Sequence, residues 1–152
     1  MADVIGVYAR VLKSAHRVTL VRVDGNQLCG TQVITAPSED PARALAELAD
    51  SVDTLLRAHP ALVALRSQNM QMAGRDVVAT TARAEGVVLA CAGRAGSVVD
   101  EVHPNSFASF ADGERKAPLA AAKIAETFLA EPPSDADELQ AVAAAIVARE
   151  RR

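Results

Sequence analysis

The hydrophobic patterns of this sequence predict an α/β fold, a mixed sheet in which three antiparallel strands come first and helices flank the sheet. Three observations carry that prediction. Apolar, β-branched runs crowd into the first 35 residues, leucines at helical spacing follow an Asp-Pro start, and an alanine-rich segment of helical period closes the chain.

Val4 to Tyr8 reads as a central strand. After a basic, polar stretch with Lys13, Ser14, His16 and Arg17, Val18 to Val23 is a second strand. Asp24-Gly25 signals a turn, and Gln27 to Thr35 is the third strand, paired with the second as a hairpin. Asp40-Pro41 starts a helix, because the acid can cap free amides and proline lacks an N–H that would go unbonded there. Leu45, Leu48, Val52, Leu55 and Leu56 give that helix one apolar face, and His59-Pro60 ends it. Ala61 to Leu65 is the next strand. A helix is predicted over Asp76 to Ala84, a fifth strand over Gly86 to Cys91 and a short edge strand over Val98 to Val102. Lys116 to Leu129 is helical and stops before Pro132-Pro133. Ser134 with Asp137 resembles a capping box, and Leu139, Val142, Ala143, Ile146 and Val147 form the buried stripe of a last helix. Arg149, Arg151 and Arg152 suit its C-terminal end.

The 152 residues predict a single domain over 1–152, and half the residues being hydrophobic argues against disorder. A net charge of −3 argues against a generally basic nucleic-acid binder and leaves room for a local basic patch. Cys29 and Cys91 lie in apolar surroundings and are expected to be buried thiols. No signal-peptide pattern or membrane-length apolar run is present, so a cytoplasmic protein without membrane contact is expected. His16, His59 and His103 have no ligand spacing and read as surface or loop residues. Ser106 and Ser109 lack a histidine–acid partner motif, and no glycine-rich phosphate loop occurs.

The element order resembles the ribonuclease H-like arrangement, and nearly the whole chain is similar to RuvC-type Holliday-junction resolvases. Val4-Ile5-Gly6-Val7 resembles their opening strand, and Ala64 to Gln68 resembles the end of their fourth strand. Ala82 to Ala90 resembles their central helix and the strand after it. Val99 to Val102, with Glu114-Arg115-Lys116, resembles the late edge strand and following helix, and Ala136 to Ala143 the acidic last helix.

The resemblance implies a five-stranded sheet and phosphodiester hydrolysis by divalent cations held on four carboxylates. Two of those come from the last helix, three residues apart and so on one face. At the four positions this sequence has Tyr8, Arg66, Asp137 and Gln140. A fixed cation about 4 Å from a divalent ion, at an effective dielectric of about 20, meets on the order of 8 kcal/mol of repulsion. The expectation is therefore a degenerate family member that is not an enzyme, with no metal and no cofactor, in which Arg66 pairs with Asp137. The alternative reading of Asp135, Asp137 and Glu138 is capping and helix-dipole complementation.

Lys116 matches a basic position the family uses, and Arg115 and Arg75 are further candidates for phosphate contact. Asn69, Met70 and Met72 stand where resolvases present an aromatic residue to the junction. Two functions follow: a RuvC-like protein that binds duplex or branched DNA in recombination without cutting it, or a homodimeric scaffold for protein partners that no longer binds DNA. An active nuclease with a rearranged metal site is a third. The resemblance also implies a homodimer, through the helix near Asp76 to Ala84.

Overall fold

A computed structural model describes residues 3–12, 15–37, 39–68 and 73–152. Five strands form one sheet: β1 (Val4–Leu12), β2 (Ala15–Asp24), β3 (Gln27–Pro37), β4 (Leu62–Arg66) and β5 (Val99–Val102). Their spatial order is β3-β2-β1-β4-β5. The first three are antiparallel, and β4 runs parallel to both β1 and β5. The helices are α1 (Pro41–Ala58), α2 (Arg75–Ala95), α3 (Ala117–Phe128) and α4 (Ala136–Glu150), with a 3-10 turn over Pro104–Phe110. The mixed sheet with three leading antiparallel strands is the one the sequence predicts.

Alternate residues of the central strands feed two cores. Val4, Val21, Val23, Ala64 and Val102 pack with Phe107, Ile124 and Ile146 on the α3/α4 side. Ile5, Val7, Leu20, Val63 and Leu65 pack with Leu48, Leu56 and Val88 on the α1/α2 side. This is the period-two alternation of a sheet covered on both faces.

Local signals explain several boundaries. Asp40 caps α1, its side chain accepting from the Arg43 N–H at 3.2 Å, and Pro41 occupies the first turn. Gly25 turns the β2–β3 hairpin at a φ of 56°, a left-handed conformation natural to glycine.

Other expectations are corrected. Gly86 to Cys91 is not a strand; it lies inside α2, which runs to Ala95 and ends at Gly96 with φ 71°. The buried residues Thr81, Ala84, Val88, Cys91 and Ala92 recur at helical spacing, and that long-range burial overrides the local preference of Val87-Val88 for strand. The edge segment Val99–Val102 supplies the fifth strand instead. Cys29 is exposed because β3 is an edge strand, whereas Cys91 is buried. The cap of α4 is Asp135 rather than Ser134; its carboxylate accepts from the N–H groups of Asp137 at 3.1 Å and Glu138 at 3.0 Å.

The last helix carries more than a stripe. Every residue from Ala141 to Ala148 is buried, because α4 is enclosed by the sheet, α3 and the 3-10 turn. Short alanine side chains permit this approach, and so does Gly6: a Cβ there would collide with the Ala141 carbonyl. Among the described residues no helix is long and apolar enough to cross a membrane.

Candidate functional site

Tyr8 and Arg10 follow Gly6 at alternate positions of β1, on the face that α4 covers. Arg66 ends β4 on the same face, and the first turns of α4 supply Asp137 and Gln140. The four positions singled out by the resemblance therefore converge where α4 begins.

Arg66 is 7% exposed, yet its guanidinium is well provided for. Its Nε donates to Gln140 Oε1 at 2.9 Å, its Nη1 donates to the Ser67 carbonyl at 3.0 Å, and it lies 5.1 Å from the centre of the Tyr8 ring. Gln140 completes the arrangement by donating through Nε2 to the Ala117 carbonyl at 3.1 Å, which ties α4 to the start of α3. Burial lowers the pKa of Arg66, with Tyr8 and Glu85 acting in the opposite sense.

The expected pairing of Arg66 with Asp137 does not occur. Asp137 Oδ2 instead lies 3.3 Å from Arg10 Nη2 and 3.5 Å from Arg17 Nε. The reason is the length of the first hairpin. β1 continues to Leu12 and β2 begins at Ala15, which puts Arg10 directly opposite Arg17. Two like charges at a cross-strand pair repel, and Asp137 relieves them. Capping explains Asp135; it does not explain Asp137, which is buried between two arginines.

Of the other candidates, Arg115 and Lys116 are exposed just before α3, and Lys116 adjoins the Ala117 carbonyl that Gln140 grips. Arg75 is exposed at the start of α2, and among the described residues no hydrogen bond or ion pair joins it to this cluster. Lys13, Ser14, Asn69, Met70 and Met72 lie outside the described residues. His16 is not a surface histidine: it is 4% exposed in β2, its Nε2 has no hydrogen-bond partner among the described residues and burial lowers its pKa. Glu85 on α2 is pushed up to about 7, mainly by burial, then by neighbouring Glu101, against the pull of Arg66.

A divalent cation needs several converging oxygens. Here it would find one carboxylate already shared by two guanidiniums, beside a third guanidinium and a phenol ring. The residues at these four positions do not fit such an ion.

No family model matches the sequence, and no curated protein does. Solved structures do. The chain is similar to Thermus thermophilus RuvC in complex with Holliday junction substrate, at 21% identity and a TM-score of 0.77, over 97% of this chain and 96% of that one. A second Thermus thermophilus RuvC structure matches at 21% identity and a TM-score of 0.77, over 98% and 96%. The fold is thus ribonuclease H-like. Within that class it is the RuvC-type arrangement, end to end. This corrects the expectation that the chain is not an enzyme. The fold it takes is that of RuvC structures, one of them in complex with its substrate, and substitution at three of the four positions does not make the chain a non-enzyme.

Proposed function

We propose that this chain is a RuvC-like protein that binds branched DNA in a recombination-related role. The observation that carries the reading is the full-length likeness to a RuvC structure in complex with Holliday junction substrate. Arg115 and Lys116 support it, as exposed cations beside the Tyr8–Arg66–Gln140 cluster, suited to hold phosphates without reading sequence. Arg75 is a more distant phosphate contact at the start of α2.

The protein acts as a homodimer. Val77 and Val78, about 40% exposed on the first turns of α2, support this, as does a cleft of about 500 Å³ between Val77, α1 and the β1–β2 hairpin. A four-way junction presents equivalent strands that suit a two-fold assembly.

The test is a titration with four-way junction and with linear duplex at low and moderate salt. Preferential junction binding that weakens with salt is expected; no junction binding at either salt overturns the reading. The nuclease fold makes strand cleavage in magnesium or manganese the activity to assay alongside, and products lost in Asp137→Asn would assign the reaction to this site. Sedimentation of the free protein checks the dimer, which Val77→Glu is expected to dissociate.

A further inference from the structure

We propose that Arg10 and Arg17 form a clamp that grips a DNA backbone phosphate directly, beside the start of α4. The inference rests on the DNA-binding reading and adds the residues and the ligand chemistry of the contact.

Three arginines from three strands, Arg10, Arg17 and Arg66, gather around the start of α4 with Asp137 as the carboxylate bound between two of them. Two of these guanidiniums share a single contacting carboxylate, although the chain as a whole carries −3. Arg66 is committed to Gln140, Ser67 and the Tyr8 ring. Arg10 and Arg17 differ. Their side chains are 45% and 31% exposed, and both approach the same oxygen of Asp137, from 3.3 and 3.5 Å. The Arg17 Nε is buried and makes no aligned hydrogen bond even to that oxygen.

One carboxylate thus balances one of two guanidiniums that the hairpin register forces into a direct cross-strand pair. A singly charged phosphodiester balances the other. Its oxygens match the forked N–H groups of arginine, which hold phosphate by paired, charge-assisted hydrogen bonds. Asp137 is then the positioning residue, an internal anion that holds both guanidiniums at the height of an incoming phosphate and competes with it.

Binding isotherms of the full chain on the four-way junction, across a salt series with EDTA present, test the clamp. Wild-type protein is expected to bind without divalent ions. The double variant Arg10→Gln/Arg17→Gln is expected to bind at least tenfold more weakly, with the slope of log affinity against log salt reduced by about 2, one per lost contact. Arg10→Lys/Arg17→Lys keeps both charges; it is expected to retain the slope and lose affinity through the missing forks. Asp137→Asn is expected to tighten binding, whereas a bridging cation held by Asp137 would make that variant and EDTA both weaken it. If the glutamine variant, shown folded by circular dichroism, binds with wild-type affinity and slope, the clamp is wrong and the DNA-binding reading survives. If wild-type protein binds neither junction nor duplex, the DNA-binding reading fails and the clamp with it.

Discussion

Arg66 is a buried cation made tolerable by neutral partners, and that arrangement carries a measurable liability. Gln140 accepts from Arg66 through Oε1 and donates to the Ala117 carbonyl through Nε2, so a single amide satisfies two groups. Replacing Gln140 with leucine would leave a charged donor and a backbone acceptor unpaired. Gln140→Leu is expected to cost about 2–3 kcal/mol in urea unfolding, while Gln140→Glu, which keeps the acceptor for Arg66, is expected to cost less. Glu85 shows the opposite problem, a carboxyl with burial and Glu101 against its ionisation. Its pKa rises from about 4.5 unfolded to about 7 folded, so the folded chain holds a proton that the unfolded chain releases. The associated stability is fully present below about 4.5 and is lost as pH rises through about 7. Glu85→Gln is expected to raise the urea midpoint at pH 8, with little effect at pH 4.5.

Among the elements, α4 and β1 depend on each other most closely. Gly6 lets the Ala141 carbonyl approach the sheet, and the eight buried residues Ala141 to Ala148 follow from that depth. Gly6→Ala is expected to cost about 3 kcal/mol, the upper part of the overpacking range, because the obstacle is backbone and cannot swing aside. Gly86 is the useful contrast. It is exposed inside α2, and a Cβ there meets nothing within 4 Å. Gly86→Ala is expected to stabilise by about 1 kcal/mol through helix propensity alone. Opposite signs for two Gly→Ala changes in one calorimetric series would check both placements, that of Gly86 within a helix above all. The residues from Gly86 to Cys91 read as a strand because Val87-Val88-Leu89 is a short apolar run, and such runs do not reveal their period locally. What makes them helical is the line of burial from Thr81 to Ala92 against α1 and the sheet.

For the molecule as a whole, protection should follow the layering. β1 lies at the centre of the sheet between two cores, and α4 is enclosed along most of its length. β3 has one strand neighbour and most of its side chains are exposed. Hydrogen exchange is expected to be slowest in β1 and α4, near the limit set by global unfolding, and orders of magnitude faster in β3. Equal protection across the sheet would contradict this hierarchy. The same layering gathers the candidate site: it brings the ends of β1, β2 and β4 under one helix start.

The sequence by itself determined the element order at the start and end of the chain, the cap of α1, the mixed sheet, and the four residues Tyr8, Arg66, Asp137 and Gln140 that meet under α4. These rest on periodicity, turn and cap chemistry, and position along a resembled fold, all of which are local or ordered along the chain. Only the tertiary structure decided which charges pair. Arg66 meets Gln140 across 74 residues of chain, and Asp137 meets Arg10 and Arg17 because the hairpin is two turns of pleat longer than its apolar residues suggest. Extending that hairpin to Leu12 and Ala15 would have set Arg10 opposite Arg17, and this was the one signal by which the pair could have been found. The rest depends on how deep α4 sits on the sheet. That depth is fixed where the bare Gly6 backbone meets the Ala141 carbonyl, a contact between residues far apart in sequence that no local pattern records.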